Sequence, residues 1–95
     1  MSDIRPETPL DRAGSLRPST LLRFSDQGYT EPTWEDLRML MHVAQLSGSR
    51  AGDLAGVSSR KVRKWASPPS HPDHLPIPYA VWRLLLLETG LVTLD

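Results

Sequence analysis

Residues 49–65, SRAGDLAGVSSRKVRKW, decide the reading of the fold. The pattern predicts two short helices joined by a tight turn. Ala51, Leu54 and Ala55 pack the first helix inward, Gly56 stands where a sharp turn needs a positive φ, and Val57 plugs the corner. Ser58 or Ser59 caps the second helix, along which Val57, Val62 and Trp65 or Ala66 face the core. Its other face carries Arg60, Lys61, Arg63 and Lys64 with no acid among them. Such a helix offers guanidinium forks and ammonium groups to phosphates and base edges, so it is expected to read DNA.

Working outward, 95 residues leave room for one small domain, and nine prolines with six glycines imply that much of the chain is irregular. The formal net charge is zero, so the argument for a polyanion partner is local. Between 58 and 70 every ionisable side chain is Lys or Arg, whereas Glu35, Asp36, Asp53, Asp73 and Glu88 are scattered around that block. A surface helix built only for solubility normally mixes signs. Cysteine is absent, which removes disulfides, thiol nucleophiles and cysteine-ligated zinc and fits a reducing cytoplasm. The opening MSDIRPETPLDRAG builds no apolar signal run, and the longest apolar run, 84–87, falls far short of the ~20 residues of a membrane span.

The expected architecture is all-α, a small helix-turn-helix domain of about four helices. Residues 1–30, with Pro6, Pro9, Gly14 and Pro18, read as a flexible amino-terminal arm, in which Leu21, Leu22 and Phe24 are apolar enough to dock on a neighbouring surface. Residues 31–95 form the domain. Its first helix starts at Pro32 or Thr33, with Thr33 as cap, Glu35 and Asp36 at the positive end of the helix dipole, and Gly48 as its close. Trp34, Leu37, Met41 and Ala44 make the core stripe, with Leu40 beside it. After the reading pair comes a proline-rich loop, SPPSHPDHLP, 67–76. The last helix begins at Pro78 and stops at Gly90.

That last helix is apolar nearly all round and must be covered on every side. A second copy of the chain is the expected cover, with Trp82, Leu85, Leu86 and Leu91 as the dimer interface. The competing cover is the chain's own Leu21, Leu22 and Phe24. Other constellations carry less. His71, Asp73 and His74 lie in a proline-broken loop without the further rigid donors a metal needs, so no metal or other cofactor is expected; a solvated role or a single phosphate contact fits these histidines better. No serine has a histidine and acid placed to activate it, and there is no phosphate-cradling glycine loop, so no catalytic residue and no enzyme are expected.

From 29 to 90 the sequence resembles the phage-repressor-like (Cro-like, XRE) helix-turn-helix family, in the short form seen in phages and mobile elements. The residues that carry the resemblance are YTEPTWEDLRML, then SRAGDLAGVSSRKVRKW, then LPIPYAVWRLLLLETG. It implies that Ser58 caps the recognition helix and that Ser59, Arg60, Lys61, Arg63 and Lys64 face the groove. Two departures stand out: Gly52 replaces the family's usual alanine, at ~1 kcal/mol in helix propensity that a tight helix crossing would offset, and the loop 67–76 is longer than usual.

The expected function is a cytoplasmic, sequence-specific double-stranded DNA-binding regulator, a dimeric repressor on an inverted repeat. Arg60, Lys61 and Arg63 are expected on base edges, and Ser59, Lys64 and Arg50 on phosphates. Arg17 and Arg23 in the arm are candidates for further backbone or minor-groove contacts. The alternative from another class is a protein-binding helix-turn-helix module, a mobile-element inhibitor or antitoxin-like adaptor whose partner is an acidic protein; near-zero net charge favours it.

Overall fold

The computed structural model describes residues 16–94, and these are all-helical, with no strand among them. A 3-10 turn, Pro18–Leu21, precedes α1 (Trp34–Val43), α2 (Gly48–Ala55), α3 (Ser59–Trp65) and α4 (Tyr79–Glu88). Helix α2 packs against both α3 and α4. Leu37, Leu40, Ala51, Val62, Trp65, Trp82, Leu85 and Leu86 form the centre of one core.

Each helix start follows local chemistry. At α1 the Thr33 hydroxyl accepts from the Asp36 amide at 3.3 Å while the Asp36 carboxylate accepts from the Thr33 amide at 2.7 Å, a reciprocal capping box. Ser47 caps α2 through the Arg50 amide at 3.0 Å, and Ser58 caps α3 through the Lys61 amide at 3.2 Å. Three helix ends share one device, a left-handed residue at Gln45, Gly56 or Gly90. The amide of the next residue then bonds five residues back: Leu46 to Met41 at 2.8 Å, Val57 to Gly52 at 2.9 Å, Leu91 to Leu86 at 3.0 Å. Gly48 therefore does not close α1, as the sequence suggested. It opens α2, because Gln45 takes the left-handed position (φ 56°) and Ser47 supplies the next cap.

Gly52 does what a tight crossing requires. A Cβ there would lie 2.5 Å from the Val57 carbonyl oxygen, so the missing side chain lets the turn fold back onto α2.

The flexible-arm reading fails for residues 16–30. Leu16 and Thr20 are buried, the Trp82 indole donates to the Thr20 carbonyl at 2.8 Å, and Arg83 donates to the Leu21 carbonyl at 2.9 Å. Arg17 clamps the same strap to α1, its Nε lying 3.0 and 3.2 Å from the two Asp36 carboxylate oxygens and its Nη2 donating to the Glu31 carbonyl. Residues 1–15 of the expected arm lie outside the described residues.

The strap also overturns the expected dimer interface. Trp82, Leu85 and Leu86 are fully buried and Leu91 is 5% exposed within a single chain. The apolar surplus of α4 is covered from one side by the strap and from the other by α2, so these four residues are core. The large apolar side chains of α4 and its tail that stay exposed are Leu84 and Leu94.

Candidate nucleic-acid interface

Helix α3 is held by its inner face. Val62 is fully buried and Trp65 is 4% exposed, which sets the rotation of the helix about its own axis. Arg60, Lys61 and Arg63 are consequently exposed and Lys64 half-exposed, as their spacing predicted. Among the described residues the one ion pair is Arg17 with Asp36, so within them none of these cations, nor Arg50, is ion-paired with an acid. A surplus of cations held on a fixed helix is suited to a polyanion.

The capping hydroxyl of Ser58 is engaged with the Lys61 amide, so that residue shapes the helix start. Ser59 is half-buried near Gly48 at the beginning of α2. It lines a groove of about 550 Å³ with Arg38, His42, Ser47, Ser49 and Arg63. Arg50 is exposed on α2, the helix that props α3.

Arg17 is not free to serve as an arm contact, since Asp36 and the Glu31 carbonyl hold it. Its guanidinium, raised further in pKa by the hydrogen bond to Asp36, acts inside the fold. Burial pushes the Asp36 carboxyl up, but the bonds from Arg17 and Thr33, with the Arg17 charge, outweigh it and hold it below its ordinary value.

One contribution escaped the sequence reading, and another was read only as a single phosphate contact from a loop histidine. Arg38, four residues before His42 on α1, donates to the Ala66 carbonyl at the end of α3 at 2.9 Å and lies 5.5 Å from the Trp34 ring centre. It thereby binds the negative end of the cationic helix. The loop after α3 folds back beside it, and Ser67, His71 and Asp73 share a cleft with Arg60, Arg63 and Lys64. No sequence spacing signals that contact, since it depends on how the prolines turn the chain. Among the described residues no group of His, Cys, Asp or Glu is placed to hold a metal ion.

A left-handed glycine between two short helices, the second anchored by Val62 and Trp65 and cationic outside, defines a small helix-turn-helix protein. No family model matches the chain. It is similar to two transcriptional repressor proteins KorC of Escherichia coli, 35% and 32% identical over 66 residues, each match covering 66% of this chain and 72% of the relative. The chain belongs to the KorC family of transcriptional repressors.

Proposed function

We propose that this protein represses transcription by binding double-stranded DNA sequence-specifically, with α3 as its recognition helix. The observation that carries the reading is the outer face of α3, where Arg60, Lys61, Arg63 and Lys64 form no ion pair among the described residues while Val62 and Trp65 hold the helix from behind. Arg60, Lys61 and Arg63 read base edges; Ser59, Lys64 and Arg50 contact phosphates. On this reading the protein stands with the phage-repressor-like helix-turn-helix regulators, whose residue pattern it resembles, and its action is steric, with no catalytic step.

The repressor works as a homodimer on an inverted repeat, which sets two recognition helices ~34 Å apart in successive major grooves. Leu84 and Leu94, the exposed large apolar residues of α4 and its tail, support that pairing. No helix among the described residues is long and apolar enough to cross a membrane, in keeping with action in the cytoplasm.

Binding to the DNA upstream of the chain's own gene, titrated with salt, tests the reading. A DNA reader loses affinity with a log–log slope of about −0.9 per neutralised phosphate and keeps a preference for one site. The zero net charge supports a second reading, a module that docks its cationic helix on an acidic protein. Absence of any site preference in the titration, with tight binding to an acidic protein instead, would decide for the second.

A further inference from the structure

The loop that follows α3 is built, though its composition of proline, serine and histidine suggests otherwise. His71 donates its amide to the Pro68 carbonyl at 2.9 Å and His74 to the His71 carbonyl at 3.0 Å, so the loop closes in two successive turns. It is then fastened to the recognition helix. The Leu75 amide donates to the Lys64 carbonyl at 3.2 Å, the Ser67 hydroxyl donates to the Arg63 carbonyl at 2.6 Å, and the His74 ring Nδ1 bonds the Ser67 carbonyl at 2.6 Å.

These bonds change the electrostatics at the end of α3. The carboxyl end of a helix is ordinarily a poor place for an anion, because its last carbonyls are unsatisfied and carry partial negative charge. Here the carbonyls of Arg63, Lys64 and Ala66 each receive a donor, from Ser67, Leu75 and Arg38. What remains beside them is a cleft of about 270 Å³ lined by Arg60, Arg63, Lys64, Ser67, His71 and Asp73. Its three cations face one acid.

The His71 ring is oriented as well. Its Nδ1 accepts from the Asp73 amide at 3.1 Å, so the neutral ring carries its proton on Nε2, and that N–H has no partner among the described residues.

We propose that this cleft holds one phosphate of the DNA backbone, with the His71 Nε2–H and the Lys64 ammonium as its donors, so that the loop 67–73 is a second DNA-contacting element beside the recognition helix. The proposal rests on the DNA-binding reading above. It deepens that reading by adding a contact that carries no sequence information: a phosphate contact adds affinity and fixes register, whereas base contacts discriminate. The Asp73 carboxylate opposes the phosphate and tempers the affinity.

The full chain, titrated by fluorescence anisotropy against its operator duplex and an unrelated duplex at one salt concentration, supplies the test. His71→Ala is expected to weaken both by a similar factor, about 5- to 10-fold, leaving their ratio unchanged. His71→Gln, which restores an amide N–H near the Nε2 position, is expected to recover most of the loss. Asp73→Asn is expected to tighten both by about 2-fold, as removal of one like charge requires. An unchanged affinity in His71→Ala with an unaltered circular dichroism spectrum, or a loss confined to the operator, overturns the phosphate site while the DNA-binding reading stands. Failure of the unaltered chain to bind either duplex overturns both.

Discussion

The indole of Trp82 donates a hydrogen bond of 2.8 Å to the carbonyl of Thr20, and both residues are fully buried. A partner from 62 residues earlier in the chain thus satisfies the one polar atom of the α4 core face. The bond fastens the strap to the helix that the sequence reading had offered to a second protomer.

Trp82→Phe removes that donor, leaves the Thr20 carbonyl without a partner in dry surroundings and empties part of the core. A loss of about 2–4 kcal/mol is expected from the two effects together. The urea midpoint measures it, and a stability within ~0.5 kcal/mol of the parent would mean that the strap is not fastened there.

Deleting residues 1–22 tests the same strap from the other side, because it removes Leu16, Thr20 and Arg17 at once and bares Trp82. The domain is expected to lose well over 10 °C in melting temperature, since ~1 kcal/mol is worth roughly 4–8 °C in a domain of this size. A dispensable arm would leave the melting curve in place.

At Gly52 two effects oppose each other. Alanine improves helix propensity by ~1 kcal/mol, but its Cβ would stand 2.5 Å from the Val57 carbonyl oxygen, which is backbone and cannot swing away. The clash is expected to win, with a net destabilisation of about 1–3 kcal/mol and weaker DNA binding, because the turn that aims α3 is forced open. Denaturant melts of Gly52→Ala decide the sign.

Asp36 makes stability depend on pH in a definite direction. Its folded pKa is depressed, so its contribution is fully present above the ordinary carboxylate value of ~3.9 and is lost as pH falls through the lower folded value. Melts between pH 6 and pH 2 are expected to show a fall on the acid side that is smaller in Asp36→Asn. Higher salt should shrink the difference, since the Arg17 side chain is 49% exposed.

On the proposed function, the cationic face is expected to separate into readers and anchors. Arg60→Ala or Arg63→Ala is expected to cost about 1–3 kcal/mol on the operator and to relax preference at one base pair, whereas Lys64→Ala weakens all duplexes alike and lowers the salt slope by about one. Competition with single-base operator variants distinguishes the two patterns.

Local chemistry makes much of this legible in the amino-acid order. Thr33 and Ser58 cap where a hydroxyl before an amphipathic run should cap, Gly56 and Gly90 take the left-handed positions that punish other residues, and the outward turn of Arg60, Lys61 and Arg63 follows from Val62 and Trp65 on the opposite side. Gln45 escaped because nothing in a glutamine advertises a left-handed backbone, and the glycine three positions later drew the helix end to itself.

The amino-acid order alone determined the helices, the caps at Thr33 and Ser58, the turn between α2 and α3, and the charge that α3 shows to solvent, since each is set by residues within a few positions of one another. Tertiary structure alone decided what covers α4 and where the loop after α3 lies. An all-round apolar helix accepts any apolar cover, so only long-range geometry, with Leu16, Thr20 and Arg17 brought onto α4 and α1, selects the chain's own strap. Periodicity likewise says nothing about a proline loop. Its place beside Arg60 and Lys64 comes from hydrogen bonds to carbonyls that exist only once α3 has ended.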